Sequence, residues 1–111
     1  ALPIYESDMK ETATYFLNLG ISAVLITLGE QGTYCAYQEQ YKMIPACNVK
    51  AIDTTAAGDT FIGAFLSELN KDLSNLESAI RLANQASSLT VQRKGAQASI
   101  PTRKEVEAEY N

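Results

Sequence analysis

The stretch Asp53-Thr54-Thr55-Ala56-Ala57-Gly58-Asp59-Thr60-Phe61 decides how this chain is read. Small residues run from Ala56 to Gly58, an acidic residue follows, and an apolar segment with helical spacing comes next. Side chains this small let backbone N–H groups approach a ligand closely. A helix starting near Ala57 aims the positive end of its dipole at the same point, which makes a pocket for anionic oxygens. Asp59 stands at the lip of that pocket, and a carboxylate beside an anion hole suits a general base for an alcohol attacking a phosphoryl group. A second reading of the same residues stays open, with Gly58 as a turn residue and Asp59 as a helix N-cap. Asp53 serves either one, since two carboxylates flanking a small-residue loop suit cation-assisted phosphate chemistry and ordinary capping alike.

Working outward toward the start, Ser7 and Asp8 are N-cap candidates, with Glu11 three residues after Asp8 as in a capping box. Met9, Ala13, Phe16 and Leu17 recur at helical spacing, and Gly20 supplies a stop. The apolar, β-branched run 21–27 suits a strand buried on both faces of a parallel sheet. Leu28-Gly29-Glu30-Gln31-Gly32 is a two-glycine turn, and 33–38 and 41–44 read as two strands around a polar turn, ended by Pro45. Residues 49–52 lead as an extended segment into the central stretch.

Working outward toward the end, Phe61, Ile62, Phe65, Leu66 and Leu69 form one helix face over 58–69, with Gly63 permitting close packing. Leu73-Ser74 opens a second helix with Ser74 as its cap and Glu77 three residues on. Its broad apolar face of Leu76, Ala79, Ile80, Leu82, Ala83, Ala86, Leu89 and Thr90 predicts deep burial. A loop over 91–99 contains Arg93-Lys94-Gly95-Ala96, and Pro101 and Thr102 open a short charged helix through about Glu109.

The order helix, strand, hairpin, helices belongs to an α/β architecture. One buried strand cannot make a doubly wound sheet alone, so the remaining strands are expected from an N-terminal part outside this sequence or from another chain. The start at Ala1 rather than Met agrees with that reading. At 111 residues the chain holds one domain at most. With a net charge of −4 and scattered basic residues, a nucleic-acid partner is not expected. The two cysteines, Cys35 and Cys47, have no CxxC spacing and the chain has no histidine, which argues against zinc. They suit a reduced, cytoplasmic compartment. No apolar run reaches the ~18 residues of a membrane span, so neither a membrane partner nor a signal peptide is expected.

Three motifs carry a family resemblance. The central stretch, continued by Gly63-Ala64, resembles the C-terminal signature of the PfkB family of carbohydrate kinases. Thr27-Leu28-Gly29-Glu30-Gln31-Gly32 is similar to that family's nucleotide loop. Arg93-Lys94-Gly95-Ala96-Gln97-Ala98-Ser99-Ile100-Pro101 resembles the ribokinase branch in particular. The resemblance covers essentially the whole chain but only about the last third of a family member, leaving the sugar-binding part and the β-sheet lid outside this sequence. It implies an α/β fold, the C-terminal part of a ribokinase-like doubly wound sheet with flanking helices, incomplete as a fragment.

The same resemblance implies transfer of the ATP γ-phosphate to a sugar, D-ribose in the ribokinase branch. Fructokinase-like and nucleoside-kinase-like members, or a non-catalytic nucleotide-binding module, are the alternatives. Carried over residue by residue, Asp59 is the base and contacts the sugar, and Ala56, Ala57 and Gly58 form the anion hole. Thr27, Gly29, Gly32 and Gly58 line the nucleotide phosphates and ribose, and Asn84 meets the adenine. Asp53, Thr55, Thr90, Arg93, Gly95 and Ser99 surround a monovalent cation, K⁺, largely through backbone oxygens that suit a hard ion. Mg²⁺ bridges the phosphates. The resemblance further implies a homodimer for the full-length enzyme. The fragment alone is expected to be inactive, and to self-associate through its unfinished sheet.

Overall fold

The computed structural model describes residues 6–50, 52, 54, 56–92 and 103–110, and these belong to two units, Ala1–Pro45 and Ala46–Asn111. In the first unit α1 (Glu6–Asn18) precedes three strands, β1 (Ala23–Thr27), β2 (Thr33–Tyr37) and β3 (Gln40–Ile44). Met9 and Ala13 lie four residues apart, so they share one face of the helix, and both are buried with Tyr34 and Ala36 of β2. Leu17, Val24, Ile26, Leu28 and Tyr41 pack around that core. The helix stops where Gly20 takes φ +96° and its N–H reaches the Leu17 carbonyl at 3.0 Å. A residue with a Cβ adopts that conformation only under strain.

Two details of α1 differ from expectation. The helix already includes Glu6, so Ser7 and Asp8 sit inside its first turn and not at its cap. Phe16 is exposed, because the inward line runs through 9, 13 and 17, leaving Phe16 edge-on to the Tyr15 ring at 5.4 Å.

The sheet is antiparallel throughout, in the order β1-β2-β3. Ala23 faces Tyr37 and Thr27 faces Thr33 across the first ladder. The expected strand is therefore present; among the described residues it is half-buried, leaves one edge open and pairs antiparallel with β2 on the other. The reason is the connection after it: a parallel crossover takes a dozen or more residues, and the turn 28–32 offers five. Among the described residues β1 has a strand on one side only, while β2 takes the centre with residues 33–36 all buried. The β2–β3 turn is two residues long, and both Gln38 (φ +50°) and Glu39 (φ +64°) are left-handed. That is the type I′ geometry that matches strand twist.

The second unit holds α2 (Ala57–Glu68), α3 (Leu76–Val91) and α4 (Arg103–Tyr110). α3 packs against both other helices and buries Leu76, Ala79, Ile80, Ala83 and Ala86, as its apolar spacing predicts. On α2 the buried residues are Thr60 and Phe61, with Phe65 stacked on Phe61 at 6.1 Å. Ile62 and Leu66 face outward at 57% and 63% exposure, so the expected helix face is only half buried within this unit. Among the described residues Gly63 mediates no close approach, and a Cβ there would meet nothing within 4 Å. Ser74 does not cap α3. The residue before the helix is Asn75, whose side chain accepts from the Asn70 N–H and donates to the Glu68 carbonyl, each at 2.8 Å. Closing the end of α2 takes the side chain that would otherwise cap α3. α4 stands where the sequence predicts it, while most of the 91–99 loop, with Pro101 and Thr102, lies outside the described residues.

Candidate active site at the start of the second helix

The small residues Ala56, Ala57 and Gly58 lead into and open α2, and some of its first backbone donors have no acceptor among the described residues. Ala56 precedes the helix at φ −104° and ψ 10°, and no side chain caps it among the described residues. The Ala57 N–H donates to the Thr54 carbonyl at 3.2 Å, and the Thr60 N–H donates to Ala56 at 2.9 Å. Between them, the N–H groups of Gly58 and Asp59 have no acceptor among the described residues. Unpaired N–H groups at a helix start carry partial positive charge and bind anions. Gly58 is exposed, and a Cβ added to it would meet nothing within 4 Å, so a ligand atom has room to reach the backbone. Asp59 is exposed in the same first turn. It is the third helical residue, which separates the two readings of its role: the N-cap position belongs to Ala56.

The turn is held from behind. Ser87 Oγ on α3 donates to the Ala57 carbonyl at 3.0 Å. Thr90 Oγ1 donates to Thr60 Oγ1 at 3.0 Å, with both residues buried. The Ile52 N–H donates to the Val91 carbonyl, tying the incoming segment to the end of α3. Ser87 and Thr60 were not singled out from the sequence. The one available signal was hydroxyl residues recurring at helical spacing among the apolar positions of α3.

Thr90, grouped above with the cation ligands, gives its hydroxyl to Thr60. Asn84 is buried on α3, and its carbonyl accepts from Ser88 Oγ at 2.8 Å. Asp53, Thr55, Arg93, Gly95 and Ser99 lie outside the described residues. Among the described residues no group of three or more His, Cys, Asp or Glu side chains could hold a metal.

In the first unit, Thr27 ends β1 exposed, and Gly29 (φ +58°) opens a single 3₁₀ turn, Gly29–Gln31. Gly32 (φ +109°) closes it, with its carbonyl accepting from the Leu28 N–H at 2.8 Å. Thr27, Gly29 and Gly32 thus share one strand-to-turn connection, as expected. Of the described predicted residues, Thr27, Gly29 and Gly32 form this group. Ala56, Ala57, Gly58 and Asp59 share the start of α2, with Thr90 bonded to its Thr60, and Asn84 stands on α3.

Residues 4–103 match the pfkB family of carbohydrate kinases over nearly the whole chain. The chain belongs to that family. This pfkB-family chain is 63% identical over 101 residues to the ribokinase of Staphylococcus aureus, covering 91% of itself and 33% of that protein. The structure of Arabidopsis thaliana ribokinase complexed with ribose and ATP matches with a TM-score of 0.84 at 34% identity, over 94% of this chain and 34% of that one. A double-mutant fructokinase from Vibrio cholerae, in a form with fructose, ADP and potassium ion bound, matches with a TM-score of 0.79 at 28% identity, over 90% of this chain and 34% of that one. The pfkB-family chain therefore has the ribokinase fold and spans about a third of the length of these relatives.

Proposed function

We propose that this chain is the phosphate- and nucleotide-handling third of a ribokinase, which converts ATP and D-ribose to ADP and D-ribose 5-phosphate. The observation that carries the reading is the start of α2, where two open N–H groups stand in the same exposed turn as the Asp59 carboxylate. Asp59 accepts the proton of the ribose 5-hydroxyl as that oxygen attacks the γ-phosphorus. The new O–P bond forms as the bond to the bridging oxygen breaks, and the electron pair leaves with ADP. In the predicted anion hole of Ala56, Ala57 and Gly58, the Ala57 N–H is taken by Thr54. The N–H groups of Gly58 and Asp59 are therefore the donors offered to the transferring phosphoryl group, with Ala56 and Ala57 leaving the approach free of long side chains.

Thr27, Gly29 and Gly32 are assigned to the nucleotide phosphates and ribose, and Asn84 to the adenine. Mg²⁺, when bound with the nucleotide, would offset phosphate charge beside the α2 turn and Asp59. The potassium ion bound to the related fructokinase supports a monovalent cation beside this turn. Thr90 would join it through its carbonyl, because its hydroxyl serves Thr60. Asp53, Thr55, Arg93, Gly95 and Ser99 complete that proposed set.

The test is ribose-dependent ADP release, with mass detection of the sugar phosphate, from the longest reading frame that contains this sequence. Asp59→Asn is expected to lower kcat by about 10²–10⁴-fold with little change in KM for ATP. Full turnover by that variant refutes the base assignment. Turnover of fructose in place of ribose moves the substrate to the fructokinase branch, whose Vibrio member shares this fold.

A further inference from the structure

We propose that Ser87 and Thr90 are positioning residues that set the aim of the phosphate-handling turn from the neighbouring helix. This rests on the catalytic reading of the α2 start. The two hydrogen bonds form a pair of rungs, Ser87 to Ala57 and Thr90 to Thr60, one helical turn apart on each helix. They grip α2 on both sides of Asp59. The Ile52 N–H on the Val91 carbonyl adds a third hold on the same stretch.

The form of the rungs points to aim over stability. A helix start is normally secured by a side chain that accepts its free N–H groups. No such cap is present on α2 among the described residues, and one would occupy the donors that a phosphoryl oxygen needs. The brace instead works from the acceptor side. Ser87 donates to a first-turn carbonyl that also serves the helix's own ladder, so the turn is held while Gly58 and Asp59 keep their N–H groups open. The second rung is a buried hydroxyl pair, with Thr90 fully buried and Thr60 at 4% exposure. In general, replacing both members of a hydrogen-bonded pair by apolar groups of the same shape loses little stability. What the hydroxyls add is direction, because a hydrogen bond in a dry interior tolerates little rotation.

The experiment uses the full-length enzyme. Ser87→Ala and Thr60→Val are each expected to lower kcat roughly 10-fold, since small displacements of reacting groups carry large rate costs, with KM for ribose within about twofold. Thr60→Ser, which keeps the hydroxyl, is expected to restore the rate. Ser87→Ala combined with Thr60→Val should fall further than either alone, because both rungs are then lost. Amide exchange at Gly58 and Asp59 should quicken in Ser87→Ala.

Rates within twofold of wild type in both single variants, while Asp59→Asn has lost turnover, would overturn the brace and leave the kinase reading standing. A loss of kcat that disappears on cooling and follows Tm would also overturn it, reducing the rungs to a structural role. Normal turnover by Asp59→Asn would sink the catalytic reading, in which case unchanged exchange at Gly58 and Asp59 removes the brace as well. Should Thr60→Val fail to fold, Ser87→Ala at its half-buried position decides the matter.

Discussion

Gly58 and Gly63 lie five residues apart on α2, and at each a Cβ would meet nothing within 4 Å. An added methyl group therefore meets none of the described residues at either site. Replacing glycine by alanine in a helix interior stabilises by about 1 kcal/mol, and by about half that in the first turn. For a protein about three times this length the entropy of unfolding is about 0.7 kcal/mol/K. Gly63→Ala should then raise Tm by about 1.5 °C and Gly58→Ala by about 0.7 °C in differential scanning calorimetry. Activity should separate them. The Gly63 methyl points into open space away from any assigned group, and kcat/KM for ATP should not change. The Gly58 methyl stands where a phosphoryl oxygen must come to reach the N–H groups, and losing access to such a donor lowers the rate about 10²-fold. A variant that is more stable and yet slower is hard to explain by misfolding. Equal kcat/KM in the two variants would refute the anion-hole argument.

Other outcomes follow from the same structure. Gln38→Asn with Glu39→Gly puts residues suited to left-handed backbone at the β2–β3 turn, where both native residues have positive φ; a gain of about 1 kcal/mol in urea unfolding is expected, and an unshifted midpoint would count against it. Burial, the charge and hydrogen bond of Cys47, and Glu109 hold the Tyr110 phenol above its ordinary value of 10.0, with Ser88 pulling the other way. A raised phenol supports the fold fully below pH 10 and withdraws that support as pH climbs through the folded value. α4 should loosen in that alkaline window by amide exchange, and Tyr110→Phe should flatten the dependence. The 111-residue chain on its own should self-associate, since β1 has one open edge among the described residues and Leu19, Ile62 and Leu66 are each more than half exposed. A single monomeric boundary at every concentration in sedimentation velocity would contradict this.

Local signals were legible in the sequence wherever one residue type sufficed. Gly20 marks the end of α1, the polar pair between two β-rich runs marks the hairpin, and the small residues before Asp59 mark the open start of α2. Competition between neighbours was not legible. Ser74 and Asn75 are both capping residues, and only the position of the Glu68 carbonyl shows which side chain turns backward. For β1, an apolar run announces a strand without naming its partner. The five-residue connection fixes the antiparallel β2 on one edge and says nothing of the other, which is open among the described residues. Ile62 and Leu66 fit the helical period, yet the period does not say what covers them. The rungs from Ser87 and Thr90 depend on how two helices cross, which is a property of packing and absent from any short window.

Each rung to α2 closes a loop of thirty residues. The start of α2 is thus secured within a thirty-residue span of the chain, and its shape can be inherited as a short cassette. On the proposed reading, mutation elsewhere in a full-length protein could change the acceptor sugar without reshaping this turn, in line with ribose- and fructose-named relatives that share this segment.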